Sequence, residues 1–151
     1  MILLSFLQQL VTSLIATGAF GILFNIERNR LIHGGIVGMI GWLLYYFLIE
    51  YRVNSLIAIV AASLVIGVIS HIFAKKFKTP IIIFSVSGII PLVPGGLAYD
   101  AMRHFVVNDY NTAIQLAAQA FLFSGAIGFG LILAEVFNQF LGKTHLANRV
   151  K

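Results

Sequence analysis

The chain's 151 residues are 60% hydrophobic and only 10% charged, with a mean hydropathy of +0.98. A soluble domain carries about one-quarter charged residues, so this composition excludes one and predicts a single all-α integral membrane domain over residues 1–151. The absence of cysteine removes disulfides, thiolate metal sites and thiol nucleophiles, and the net charge of +5, spread through short loops, reads as topology signal and lipid contact rather than nucleic-acid binding.

Windows of about 19 residues place the first membrane span at 2–24. No Lys or Arg precedes it and its apolar stretch exceeds a secretory h-region, so it reads as a true span rather than a signal peptide. Ser5, Gln8, Gln9, Thr12, Ser13 and Thr17 recur at steps of three and four along it. That polar stripe must face protein or water, either as interhelical hydrogen bonding or as the lining of a pore. The second span, 31–49, carries Gly34, Gly35, Gly38 and Gly41, and the third covers 55–74. Pairs such as Gly34/Gly38, and Ser124/Gly128 further on, predict close helix packing within the chain.

The fourth span, 81–99, is interrupted by the run 87–100, Ser-Gly-Ile-Ile-Pro-Leu-Val-Pro-Gly-Gly-Leu-Ala-Tyr-Asp. Pro91 falls near its middle. Pro91 and Pro94 each lack an N–H and obstruct the helix, while Gly95 and Gly96 permit positive φ and close backbone approach. Unpaired backbone groups in hydrocarbon cost several kcal/mol, so a broken helix persists there only against protein or a watery cavity. The expected result is two half-helices. The second would aim free N–H groups at a carboxylate, and the carbonyls ending the first would receive an ammonium or a cation. This makes Pro91, Pro94, Gly95 and Gly96 candidates for a solute pathway, with a ligand-free proline kink as the alternative. Tyr99 adds a hydroxyl near the interface. Asp100 and Arg103, at i and i+3, share a helix face as a gate or second contact, or else as a solvated ion pair.

A more polar segment, 100–113, leads to a fifth span at 114–141. Glu135 is the acidic residue deep in that span and so a candidate for ion coupling, although it also lies within reach of the cytoplasmic interface. His33, His71, His104 and His145 are scattered near segment ends without metal-ligand spacing, and no phosphate loop, nucleophile elbow or hydrolytic carboxylate pair is present. The sequence therefore predicts no catalytic residues, no metal and no cofactor.

Short cytoplasmic loops collect Lys and Arg. Five spans with the N-terminus outside and the C-terminus cytoplasmic place Arg28, Arg30, Lys75, Lys76, Lys78, Lys143, Arg149 and Lys151 inside and leave Arg52 and Arg103 outside, eight against two. A fourth segment that dipped in and returned would reduce this to six against four. The charge pattern predicts a complete but broken crossing.

Phe20-Gly-Ile-Leu-Phe-Asn-Ile, and above all Ile89-Ile-Pro-Leu-Val-Pro-Gly-Gly-Leu-Ala-Tyr-Asp-Ala-Met, resemble the threonine/serine exporter family of bacterial inner-membrane proteins, in particular its short subunit, which corresponds to the C-terminal membrane half of fused exporters. The matching positions are Pro91, Pro94, Gly95, Ala98 and Tyr99, with Asn25 at the first cytoplasmic turn. The resemblance implies secondary export of small hydroxy amino acids or small dicarboxylates such as succinate across the bacterial cytoplasmic membrane. It also implies a larger membrane partner of the same family, in a hetero- or homo-oligomer. A non-transporting scaffold or regulatory subunit is the other reading.

Overall fold

The computed structural model describes residues 2–147, with side chains from 6 to 140. Ser5, Lys143, His145, Arg149 and Lys151 of the sequence reading lie outside the described residues or side chains. The described chain is all helical: α1 (Ile2–Leu23), α2 (Arg28–Glu50), α3 (Ser55–Phe77), α4 (Ile82–Ile89), a 3₁₀ turn (Ile90–Leu92), α5 (Gly95–Val106) and α6 (Tyr110–Ala147). Four helices are long and apolar enough to cross a membrane, and α4 with α5, bent by 53° at the break, passes as a fifth when the pair is taken as one span.

The first three spans and the fourth's start are where hydropathy puts them. The more polar segment 100–113 is mostly helix: α5 continues through Asp100 and Arg103 to Val106, and α6 begins at Tyr110. Its charged and amide side chains sit on a largely exposed helical face, so they interrupt the apolar pattern without interrupting the helix.

Packing fixes the direction of each helix. Along the contact between α3 and α6, Ser55 and Ile59 lie with Gln119 and Phe123, Gly67 lies against Leu131 and Ala134, and His71 meets Glu135. Residue numbers rise together on both helices, so α3 and α6 run parallel. The chain between two parallel helices must return to the starting side, and α4–α5 therefore makes one complete, broken crossing. The other contacts agree: Phe84 packs on Phe73 and Phe77 while Gly88 meets Ile66, which sets α4 antiparallel to α3.

Val37, Ile59, Ala62, Ile66, Phe84, Leu92 and Ile127 form the buried core. Glycines let the helices close on it. A Cβ on Gly34 would meet Ser87, on Gly38 Thr17, and on Gly41 Ile66, so the small residues of α2 serve packing inside the chain. At one end Arg30 stacks over Phe77, which also packs against His33.

All four remaining turns use one device. Ile26, Val53, Thr79 and Asp109 each donate a backbone N–H to the carbonyl five residues back, and the preceding residue, Asn25, Arg52, Lys78 or Asn108, has φ between 52° and 63°. These are Schellman stops, which satisfy the last carbonyls of each helix. Glycine usually fills the left-handed position; here four other residues do.

Candidate functional site

The break is built by its prolines. Pro91 sits in the 3₁₀ turn, and Pro94, at φ −77° and ψ 51°, centres an inverse γ-turn closed by Gly95 N–H to the Val93 carbonyl at 2.7 Å. No described glycine adopts positive φ, so the turn does not use the freedom that Gly95 and Gly96 permit. They open α5 instead, and a Cβ on either would meet no atom within 4 Å. Ala98 N–H reaches the Pro94 carbonyl at 3.1 Å, and no side chain caps the first turn of α5, whose leading N–H groups have no acceptor within their own helix.

These free groups face space. A cavity of about 450 Å³ is lined by Pro91, Val93, Pro94, Gly96 and Leu97 of the break, Trp42 and Tyr45 of α2, Ser55 and Ile59 of α3, and Gln119 and Phe123 of α6. That volume is in the range of small-ligand sites. A second cavity of about 190 Å³, lined by Gln9, Thr12, Ser13 and Ala16 of α1, shares Trp42 and Pro91 with the first. The polar stripe of α1 thus does both jobs foreseen for it: Thr12 and Ser13 line space, while Gln9 Oε1 accepts a hydrogen bond from Trp42 Nε1 at 2.7 Å. Thr12, Ser13 and Thr17 donate their hydroxyl protons to carbonyls of their own helix.

Gly88 packs against Ile66, the middle of α3, whereas the cavity reaches Ile59, seven residues on. At about 1.5 Å per residue the site lies roughly 10 Å from the bundle's middle toward the start of α3. Pro91 is near the midpoint, and Gly95 lies beyond it.

Other candidate residues are placed differently. Tyr99 is 70% exposed, and Asp100 and Arg103 form no ion pair with each other. The acid–base pair at this end is His104 with Asp109, Nδ1 to Oδ2 at 3.0 Å. Asp109 immediately precedes α6, and the Thr112 side-chain and backbone hydrogen bonds, with His104 beside them, hold its carboxyl below the ordinary value of 3.8. Stability from a depressed acid is present above its unfolded value and is lost as pH falls through the folded one. Hydrogen exchange at the Thr112 amide should therefore accelerate as pH falls below about 4, after correction for intrinsic rates, and Asp109→Asn should remove that dependence.

Glu135 stands away from the cavity, against His71. Sequence reasoning missed four residues: Trp42, Gln119, Tyr45 and His71. Trp42 carried a readable signal, being the sole tryptophan of the chain at the centre of a span, where an indole N–H needs an acceptor. Gln119 carried none, since it belongs to no polar stripe or motif in its span.

Comparison with known proteins bears on the same residues. The family model described as "Threonine/Serine exporter, ThrE" matches residues 9–137, which include both cavities. The "Threonine/serine exporter" of Corynebacterium glutamicum is 26% identical over 125 residues, covering 79% of this chain and 25% of the relative. An "Uncharacterized protein" of Haemophilus influenzae is 27% identical over 139 residues, covering 87% of this chain and 47% of the relative. The chain thus spans a quarter to about half of the length of these relatives. No solved structure matches. With the family model covering most of its length, the chain belongs to the threonine/serine exporter family.

Proposed function

We propose that this multi-pass cell-membrane protein is one subunit of a secondary exporter for small carboxylate-bearing metabolites, of the threonine/serine type or extending to small dicarboxylates. The observation that carries this reading is the broken α4–α5 segment, where the α5 N-terminus, uncapped by any side chain, borders a cavity of about 450 Å³. The Gly96 and Leu97 amides, at the positive end of α5, receive the carboxylate. The Pro91 and Leu92 carbonyls receive the ammonium. Gln119 and Tyr45 fix the remaining polar groups, and Trp42, latched to Gln9, divides this cavity from the α1 cavity. Pro94 and Gly95 hold the break open. Tyr99, Asp100 and Arg103 lie further along α5 and act at the mouth. The charge distribution supports an N-terminus outside and a C-terminus in the cytoplasm.

A larger membrane partner completes the pathway. The family relatives are two to four times as long as the matched region. Gly125 and Gly128 in α6 have no atom within 4 Å of where a Cβ would stand. Each costs about 1 kcal/mol in a helix relative to alanine, which the chain's own packing does not explain; a partner helix seated there does.

The test is efflux of labelled threonine from preloaded cells lacking their own exporters. Efflux only when this chain and its larger partner are both present supports the reading. No efflux with both inserted rejects threonine and moves the test to dicarboxylates. Gln9→Leu leaves the buried indole N–H without an acceptor, at about 1–3 kcal/mol. It should slow efflux severalfold while insertion, read by membrane abundance, stays normal.

A further inference from the structure

We propose that His71 and Glu135 form a proton-binding pair across the α3–α6 contact, on the opposite side of the bundle's middle from the solute cavity; its coupling to export rests on the exporter reading above. His71 Nδ1 stands 3.6 Å from Glu135 Oε2. Nδ1 is closed off from solvent and has no hydrogen-bond partner. The other oxygen, Oε1, accepts a hydrogen bond from Gln139 Nε2 at 3.1 Å, which leaves Oε2 aimed at the imidazole.

A gap of 3.6 Å is too long for a hydrogen bond. In the tautomer carrying its hydrogen on Nε2, two lone-pair atoms face each other and lack a donor between them. A single proton supplies it. Bound at Nδ1, it turns a neutral imidazole and a carboxylate into a hydrogen-bonded ion pair and draws α3 and α6 together. Beside Glu135 lies a further cavity of about 170 Å³, lined by Gly67, Ile81, Ser85, Leu131 and Ala134, through which water can deliver the proton. The adjacent Ser70 hydroxyl is likewise buried without a partner.

The surroundings leave the pair to itself. On α3, Lys75 follows His71 by one turn and is exposed, as is Lys76. On α2, Arg30 and His33 engage Phe77 and, for His33, Phe73. α4 presents Ile81 and Ser85, and α6 adds the neutral Gln139. Among the described residues no other acid approaches.

His71 and Ile59 are twelve residues apart on α3, about 18 Å. Both lie along the contact with α6, so a change in helix spacing at the pair reaches the wall of the solute cavity through the two helices themselves.

The experiment reconstitutes this chain with its larger partner in lipid vesicles and follows labelled threonine in two modes: counterflow without a gradient, and uphill movement driven by an imposed pH difference. His71→Asn and Glu135→Gln should each keep counterflow within about twofold while uphill movement falls about tenfold or more. Wild-type uphill movement in either variant overturns the proposal. So does loss of both modes, which assigns the pair to structure or to the solute.

Absence of counterflow in the wild type refutes the exporter reading for threonine, and the pair is then judged on the purified chain by pH-difference infrared spectroscopy. A protonation-sensitive carboxyl band that vanishes in Glu135→Gln and moves in His71→Asn supports the pair. A spectrum unchanged by either substitution overturns it.

Discussion

The double variant Pro94→Ala/Gly95→Ala is expected to insert normally and to lose export down to the level of cells without the chain. Alanine is favoured over proline in a helix by about 3 kcal/mol and over glycine by about 1 kcal/mol. With an N–H restored at 94, the helix can run through the break, residue 94 donating to the Ile90 carbonyl and the γ-turn bond from Gly95 to Val93 giving way to helical ones. The γ-turn dissolves, the 53° bend relaxes and the cavity loses its polar wall. Pro91 remains as an ordinary kink. Membrane abundance and labelled-threonine efflux, measured together, decide it: export at the wild-type rate would refute the assignment of the break as the binding site, since the variant deletes the site without deleting the span.

A second large effect is expected at Gly130, where the cause is contact rather than polarity. A Cβ there would meet the Ser63 hydroxyl and stand 2.6 Å from the Val60 carbonyl oxygen. The serine can rotate. The carbonyl belongs to the backbone of α3 and cannot, so Gly130→Ala forces α3 and α6 apart. Overpacking of this kind costs about 1–3 kcal/mol, and Gly130→Val should cost more. Gly125→Ala, on the open face of the same helix, meets no atom and should instead stabilise by up to about 1 kcal/mol. Thermal unfolding in detergent or lipid nanodiscs gives the comparison, and equal midpoints for the two alanine variants would show that the α3–α6 contact is not what holds this half of the bundle.

The five spans were legible because a membrane helix needs only length and apolarity, which 2–24, 31–49 and 55–74 display without ambiguity. The broken fourth was legible as well, since two prolines and two glycines within six residues leave few backbone solutions. What hydropathy could not read was where α5 ends and α6 begins, at Val106 and Tyr110, because polarity there reports exposure and not the end of a helix. The turns were equally hidden: Arg52 and Lys78 hold left-handed positions where sequence rules look for glycine or asparagine.

The site divides along the same line. Pro91, Pro94, Gly95 and Gly96 act through their own backbone and could be found locally. Trp42 with Gln9, and His71 with Glu135, exist only after the helices pair, and spacing along one helix carries no trace of them. Asp100 and Arg103 show the reverse: a spacing that permits a pair which the side chains do not form.

Mechanically, the Schellman stops turn most of the chain into stiff rods with welded corners. Each corner is held by its own backbone bonds, so hairpins such as α1–α2 or α5–α6 turn as single bodies. The joint between α4 and α5 has only the three-residue γ-turn, with torsions at Val93 and Pro94 carrying the bend. Leverage follows from length: α5 has twelve residues, so a rotation of about 10° at that joint sweeps its far end through about 3 Å. The joint at Pro94 is thus the place where a small torsional change would displace α5 most.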